Sequence, residues 1–378
     1  MKKNLLLLLM LILASNTYAQ FGETVIKSIT HNGIKRDYRV YIPSSYVAGK
    51  AAPLVVNMHG YGSDDVQQEY YGEFRPFADA EGFLVVHPKG TAAPGIGTLF
   101  FNVGFFASPI DDTGFINAMI DEISKEYAVN QKKIYATGMS NGGFMSYELA
   151  CTTTNRFAAI ASVTGAITKL NFPKCKNAAP IPVMQIHGTA DATVPYLGNA
   201  QFLAIDTIVN FWVKKNDCNP IAVKTAVPDI NITDGATAER FVYSGGKNGT
   251  TVELWKVQNG AHSWPGAFVN LGVTCQDFNA SKEVWRFFKQ YSLITPTNEV
   301  DALPLTIFPN PSADILNIEL PDAVSDYKLE IYDNQGKTYI NNNHFNAAQI
   351  TIDHLPTGIF FIKVSNENGV ATKRFVKM

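Results

Sequence analysis

The stretch "YATGMSNGGFM", residues 135–145, decides how the surrounding chain folds. The apolar run "KKIYATG" leads into it and predicts a buried strand, while "NGGFMSYELAC" follows and predicts a helix. Ser140 lies at the junction, flanked by Gly138 and Gly142. A strand that turns sharply into a helix leaves no room for side chains beside the turn, and glycine tolerates this crowding. The stretch therefore predicts a strand, a strained turn with a serine at its tip, and a helix.

Similar apolar runs alternate with helical patterns from residue 37 to residue 293. The strand candidates are "PLVVNMH" (53–59), "GFLVVHP" (82–88), "KKIYATG" (132–138), "FAAIASVTG" (157–165), "IPVMQIHG" (181–188) and "TVELWKVQNG" (251–260). Their solid apolar character suits strands that are covered on both faces. The alternation predicts an α/β fold with a largely parallel central sheet.

A helix is predicted over "DDTGFINAMIDEISKEYA". Apolar residues recur there at helical spacing, at Ile116, Ile120, Ile123 and Tyr127. Asp111 or Asp112 precedes the apolar positions, where an aspartate caps the first turn. A catalytic acidic pair is the alternative, but capping alone explains two aspartates in front of an amphipathic helix.

The composition changes after residue 292. Residues 293–302 form a polar, proline-bounded linker, and alternating strands such as "ILNIEL" and "YKLEIYD" follow, separated by turn residues. Residues 303–378 are therefore predicted to form a small antiparallel β-sandwich. The α/β domain is expected over residues 21–292.

The N-terminus has the three parts of a secretory signal peptide, which we place at residues 1–19. Two lysines precede an apolar run that is too short to span a bilayer comfortably, and small Ala19 marks the cleavage point. No other stretch predicts a membrane span in the mature protein. With 46% hydrophobic residues and a net charge of −2, the chain has no basic excess that would indicate nucleic-acid binding.

Four cysteines form an even set in a protein expected outside the cell, where disulfides persist: Cys151, Cys175, Cys218 and Cys275. Three pairings are open. The simplest joins Cys151 to Cys175 and Cys218 to Cys275, because the first bond would tie the end of the helix after Ser140 to the next strand. No two cysteines have the spacing of a zinc site, so no metal is predicted.

The setting of Ser140 is that of a nucleophile elbow. A serine hydroxyl needs a base to remove its proton, and in the α/β-hydrolase arrangement the chain order is serine, acid, histidine. His187 and His262 follow Ser140 in the α/β domain. His187 ends an apolar strand, whereas His262 lies in the loop "NGAHSWPG" after the last strand and is the predicted base.

Asp191, in the polar turn of "HGTADATVPY", is the predicted acid that would orient this base. Its rivals Asp206 and Asp217 fall in or after the helix "FLAIDTIVNFWVKKN" and would point away from the strand ends.

Two backbone amides should stabilise the developing oxyanion. One belongs to Asn141, the residue after the nucleophile, and the other to the loop "NMHGYGSDD". Tyr61 is the predicted second donor, with Gly60 as the alternative. His59 is expected to orient this loop rather than to transfer a proton, although both His59 and Gly60 lie near the expected substrate.

Four motifs, "VVNMHGYGSD", "IYATGMSNGGFMSYELAC", "HGTADATVPY" and "AHSWPG", resemble those of secreted esterases of the polyhydroxybutyrate depolymerase type, which include feruloyl and acetylxylan esterases. The resemblance covers residues 25–292. It implies a triad of Ser140, Asp191 and His262, and it supports the Cys151 to Cys175 disulfide. Pairing of Cys218 with Cys275 is an inference from this chain alone.

The C-terminal part resembles the sorting domain of the type IX secretion system, through "LTIFPNPSADILNIEL", "YDNQGK" and "LPTGIFFIKVSNENGVATKRFVKM". This implies an extracellular or cell-surface location and the secretion machinery as a partner. A carbohydrate-binding sandwich is the alternative, but the segment has no row of exposed aromatic residues.

Aromatic residues gather near the expected site, among them Phe105 and Trp264, which either stack on substrate or pack the domain. The hypothesis is a secreted serine carboxylesterase without a cofactor, acting on feruloyl or acetyl esters of plant polysaccharide. A polyester depolymerase is the first alternative, a peptidase on the same fold is disfavoured, and a non-catalytic surface binding protein is the alternative from another class.

Overall fold

The computed structural model describes residues 22–92, 97–293, 305–320, 327–333, 336–366 and 369–378. The predicted signal peptide and nearly all of the predicted linker lie outside these residues. The chain divides between Ile294 and Thr295 into two units. None of the helices in the described part of the chain combines the length and the apolar character needed to cross a membrane.

A ten-stranded sheet forms the centre of the first unit, in the order β1-β2-β4-β3-β7-β8-β9-β12-β11-β10. Its strands are β1 (Glu23–His31), β2 (Ile34–Ile42), β3 (Ala52–Met58), β4 (Leu84–Pro88), β7 (Val129–Met139), β8 (Ala159–Val163), β9 (Val183–Gly188), β10 (Val223–Ala226), β11 (Thr237–Tyr243) and β12 (Val252–Gln258). The short strands β5 (Thr91–Ala92) and β6 (Leu99–Phe100) pair separately. The block from β4 to β12 is parallel and contains the six predicted strands, so the predicted α/β class is confirmed.

Helices cover both faces of this sheet. They are α1 (Asp65–Tyr71), α2 (Arg75–Glu81), α3 (Asp112–Glu126), α4 (Asn141–Thr152), α5 (Phe172–Cys175), α6 (Ile205–Lys215) and α7 (Ala280–Phe288), with a 3₁₀ turn at Lys247–Gly249. Side chains of a strand alternate between faces. On β3, Leu54 and Val56 belong to one buried cluster, with residues of α3, α4 and α6, while Val55 belongs to a second cluster with residues of α2 and α7.

Helix α3 follows its predicted pattern. Ile116, Ile120 and Ile123 are buried, and the side chain of Asp111 caps the helix by accepting the amide of Gly114 at 2.8 Å. Asp112 is buried instead, and it accepts a hydrogen bond from Arg36 at 2.5 Å. The two aspartates therefore have structural partners, and neither lines the serine-containing cavity described below.

A disulfide joins Cys151, in the last turn of α4, to Cys175 in α5. The expected second disulfide is wrong, because Cys218 and Cys275 are both free and buried. Cys218 belongs to the cluster on one face of the ten-stranded sheet and Cys275 to the cluster on the other face. The sheet thus separates the two thiols.

The second unit consists of two antiparallel sheets, as predicted. One contains β13 (Thr306–Phe308), β14 (Ile315–Glu319) and β17 (Gln349–Thr351). The other contains β15 (Tyr327–Asp333), β16 (Thr338–Phe345), β18 (Gly358–Asn366) and β19 (Gly369–Lys377). Leu316 and Ile318 of the first sheet share a buried cluster with Leu329 and Ile362 of the second, which is the packing of a sandwich.

Candidate active site

Ser140 lies at the sharp turn between β7 and α4 in a strained backbone conformation. Its φ is +52° and its ψ is −117°, in a region that residues with a side chain rarely adopt. The amide of Ser140 donates to Val163 O on the adjacent strand at 2.8 Å, which fixes the turn against the sheet. The predicted strand, turn and helix are present in that order.

The two flanking glycines are required by close approach of the backbone. A Cβ placed on Gly138 would lie 2.4 Å from the carbonyl oxygen of Met58, and one on Gly142 would lie 2.1 Å from the same oxygen. Neither distance is tolerated between a methyl group and a carbonyl. Glycine at these positions lets helix α4 start directly beside the end of β3.

His262 and Asp191 are brought together by neighbouring strands. Nδ1 of His262 lies 2.7 Å from Oδ2 of Asp191, a hydrogen bond that spans 71 residues of sequence. The Asp191 side chain is fully buried, whereas that of His262 is 19% exposed. Both Ser140 and His262 line one cavity, so the structure places the predicted nucleophile, base and acid at one site.

The carboxylate of Asp191 remains ionised in this setting. Burial would raise its pKa, but hydrogen bonds donated by His187 and His262 hold the pKa well below its usual range. The other oxygen, Oδ1, accepts the amides of Thr193 and Val194 at 2.9 and 2.8 Å. An ionised, immobilised acceptor is what a histidine base needs as its partner.

His59 orients the loop that approaches Ser140 from β3. The ring is buried, its Nδ1 donates to Gly60 O at 2.7 Å, and its Nε2 accepts the amide of Gly90 at 2.8 Å. Burial lowers the pKa of His59 to about 4, so the ring is neutral at physiological pH. A Cβ on Gly60 would lie 3.4 Å from Cβ of Ser140, which shows how closely this loop passes the serine.

Asn141 joins a second loop to the turn that carries Ser140 through its side chain. Its Oδ1 accepts the amide of Phe101 at 2.6 Å, and its Nδ2 donates to the carbonyl of the same residue at 2.9 Å. Its own backbone amide is at the first position of α4, where a helix provides no acceptor. The side chain of Asn141 is therefore buried and hydrogen-bonded to the second loop, while its backbone amide lies next to Ser140 and has no acceptor within the helix.

A cavity of about 520 Å³ opens onto Ser140 and His262. Residues of α1 form one wall, chiefly Val66, Tyr70 and Tyr71, and the loop after His262 forms the other. The remaining lining residues are Gly60, Tyr61, Ser63, Gln67, Gln68, Met139, Phe268, Val269 and Leu271. The cavity is thus an apolar cleft with a few polar groups among its lining residues.

Three predicted substrate contacts lie elsewhere. Trp264 is buried and donates through its indole nitrogen to Ser281 Oγ at 3.1 Å, so it packs the domain instead of lining the cavity. Phe105 packs against Phe144 with ring centroids 5.0 Å apart. His59 is enclosed behind the loop that it orients. Of that predicted set, Gly60 lines the cavity.

Three aromatic residues that line the cleft were not predicted from the sequence. Tyr70, Tyr71 and Phe268 come from a short helix and an irregular loop, and nothing in their local sequence distinguishes them from other surface residues. The position of Phe268, six residues after His262, is one signal that could have placed it near the site.

One group of metal-ligating side chains occurs among the described residues, made of Asp234, Cys275 and Asp277, whose ligand atoms lie within 4.8 Å of one another. Burial raises the pKa of the Cys275 thiol to about 12, so it is protonated. The carboxylates already accept backbone amides, Asp277 from Ile230 at 2.8 Å and Asp234 from Gln276 at 2.6 Å. These contacts explain the cluster without an ion.

Comparison with known protein families matches two parts of the chain. Residues 111–217 match the family described as phospholipase/carboxylesterase, and residues 306–378 match the secretion system C-terminal sorting domain. The first unit is therefore similar to carboxylesterases over residues 111–217, and the second unit is similar to sorting domains over residues 306–378. The match to the sorting domain supports a location outside the cell, released or attached to the surface, and favours this domain over a carbohydrate-binding sandwich.

Several curated proteins similar to this chain are named as esterases. Feruloyl esterase B of Piromyces equi is 30% identical over 67% of this chain and 45% of that protein, and the bifunctional acetylxylan esterase/xylanase XynS20E of Neocallimastix patriciarum is 26% identical over 70% and 35%. Feruloyl esterase D of Neurospora crassa is 25% identical over 72% of this chain and 87% of that protein. The chain thus spans less than half of the first two relatives.

Proposed function

We propose that this protein is an exported serine esterase that hydrolyses feruloyl esters attached to plant cell-wall polysaccharide. The observation that carries the proposal is the apolar cleft of about 520 Å³ beside Ser140 and His262. A hydroxycinnamoyl group has a flat apolar ring that suits walls of tyrosine, phenylalanine and leucine side chains. An acetyl group has two carbons and would leave most of this volume filled with water.

In the proposed mechanism, His262 removes the proton of Ser140 as the hydroxyl oxygen attacks the ester carbonyl. Asp191 keeps the imidazole in the tautomer that can accept this proton and stabilises the imidazolium that forms. The backbone amides of Tyr61 and Asn141 stabilise the oxyanion. His262 then gives the proton to the leaving alcohol and activates the water that releases the acid from Ser140.

The experiment is hydrolysis of methyl ferulate and of feruloylated arabinoxylan by the full chain, with Ser140→Ala as the control. Ferulate release by the wild type that disappears in the variant supports both the triad and the substrate. Cleavage of a short acetyl ester without ferulate release would still support Ser140 as the nucleophile, but it would exclude feruloyl esters as the substrate.

Two further readouts address the alternative functions. Soluble acid released from a polyhydroxybutyrate film, with no ferulate release, would indicate a polyester depolymerase. A non-catalytic binding protein would leave Ser140 unlabelled by a fluorophosphonate, because that reaction requires an activated serine.

A further inference from the structure

A chain of buried hydrogen bonds runs from the nucleophile's helix to Asp191. Tyr147 of α4 donates its hydroxyl to Gln185 Oε1 at 2.7 Å, and Gln185 Nε2 lies 3.0 Å from His187 Nδ1. The ring of His187 continues the chain, because its Nε2 lies 2.8 Å from Val194 O and 3.3 Å from Asp191 Oδ2. The side chains of Tyr147, Gln185, His187 and Asp191 are all buried.

The acceptor atoms in this series of hydrogen bonds determine which group donates at each step. Gln185 Nε2 also lies 3.0 Å from the carbonyl oxygen of Gly165, which only accepts, so this end of Gln185 is the amide donor. His187 Nδ1 therefore accepts from Gln185. The proton of His187 is on Nε2, where Val194 O and Asp191 Oδ2 share it.

The carboxylate of Asp191 is consequently held from every side. Oδ1 takes two backbone amides, while Oδ2 takes His262 on its exposed flank and His187 on its buried flank. His262 lies in a loop outside any strand or helix, so its ring depends on Asp191 for orientation. A rotation of the carboxylate would move the imidazole with it.

We propose that His187 is a positioning residue of the triad, which locks the Asp191 carboxylate and the adjacent Val194 turn so that the His262 ring stays in its working orientation. The inference rests on the proposed esterase function for its kinetic test only. It gives the enzyme two histidines on one carboxylate, one that exchanges protons with the reaction and one that does not.

The kinetic test compares His187→Leu with His187→Gln, because a glutamine amide can replace the Nε2 donor of the ring. With methyl ferulate, or with an acetyl ester if ferulate is not cleaved, we expect kcat of His187→Leu to fall about 10- to 100-fold with KM within twofold. His187→Gln should recover most of that loss. Equal kcat in both variants and the wild type would overturn the inference.

A matched control is His87→Gln, which changes another buried histidine on β4, a strand separated from β9 by three other strands of the sheet. It should leave kcat within about twofold. If His187→Leu does not fold, Gln185→Met tests the same series of hydrogen bonds by removing the donor to His187. We expect kcat to fall roughly threefold or more.

A second readout does not depend on turnover. The proton shared by His262 Nδ1 and Asp191 should give a downfield proton resonance, assigned by its loss in His262→Gln. In His187→Leu this resonance should move upfield or broaden, and in His187→Gln it should return. A resonance unchanged by His187→Leu contradicts the positioning role even if the wild type hydrolyses none of the esters tested.

Discussion

Asp191 and His262 meet because the strands that precede them are parallel neighbours. In the β9–β12 pair, Gly188 lies opposite Val257. Asp191 follows Gly188 by three residues and His262 follows Val257 by five, so both lie at the same edge of the sheet. The resulting 2.7 Å hydrogen bond joins them across 71 residues. Sheet register, not local sequence, assembles this part of the site.

Asp191→Asn should lower kcat by roughly a thousandfold, because an amide there would favour the tautomer of His262 that cannot accept the proton of Ser140. Steady-state hydrolysis of methyl ferulate, or of the best acetyl substrate, measures the loss. Asp206→Asn is the matched control, since Asp206 is held by the hydroxyl of Tyr196 at 2.6 Å, away from the cavity. Comparable losses in both variants would refute the assignment of Asp191.

Gly142→Ala should damage both the turn and the activity. The new methyl group would lie 2.1 Å from Met58 O, so the backbone must shift, which costs about 1–3 kcal/mol of unfolding free energy and at least about a hundredfold in kcat. Gly33→Ala is the control, because Gly33 has a φ of +76° but open space around it. It should lose about 1–2 kcal/mol of stability and no activity.

Stability should fall as the pH drops from about 6.5 towards 4. Burial lowers the pKa of His59 and of His87 to about 4, so both rings stay neutral in the folded chain while the unfolded chain takes up protons below pH 6.5. Each residue should therefore remove about 2 kcal/mol of unfolding free energy between pH 7.5 and pH 5.

Urea titrations followed by tryptophan fluorescence measure this effect on the first unit, because all four tryptophans belong to it. His87→Gln should remove about half of the pH dependence. An unchanged slope in that variant would contradict the buried, neutral state of His87.

Leu271→Ala should reduce kcat/KM for methyl ferulate by roughly threefold to tenfold and leave an acetyl ester nearly unaffected, because Leu271 lines an apolar cleft that a two-carbon acyl group is too small to fill. Leu197→Ala provides the comparison. Leu197 is 85% exposed and lies outside the cleft lining. Equal changes for both esters would argue against an aromatic acyl group in the cleft.

Thiol counting should find one disulfide and two free thiols. The four cysteines should give two alkylations with iodoacetamide after unfolding without reductant, and four after reduction. Replacing Cys151 and Cys175 by alanine should cost about 3 kcal/mol of unfolding free energy, since the bond closes a separation of 24 residues. No alkylation before reduction would show that Cys218 and Cys275 are oxidised.

The sequence predicted the parallel block of the sheet because those strands are buried on both faces and are apolar throughout. Strand β10 was not predicted for the opposite reason: all of Val223–Ala226 is exposed, so this strand has no buried apolar pattern to detect. Burial, not strand propensity, produced the signal.

The proposed catalytic residues could be inferred because their chain order and strand-end positions are properties of the sequence. The cleft could not, since contact with Phe268 or Tyr70 depends on where separate loops come to lie. Trp264 illustrates the limit. It is two residues from His262, yet its indole packs into the second buried cluster of the sheet.

The walls of the cleft and the proposed triad come from different parts of the chain. Ser140, Asp191 and His262 follow central strands, whereas one wall is α1 and the other is the loop that contains Phe268 and Leu271. Mutations in the walls can therefore accumulate without disturbing the reacting groups. If the proposed function holds, related proteins can change the acyl group that they accept by remodelling a single surface loop, while the reacting groups stay the same.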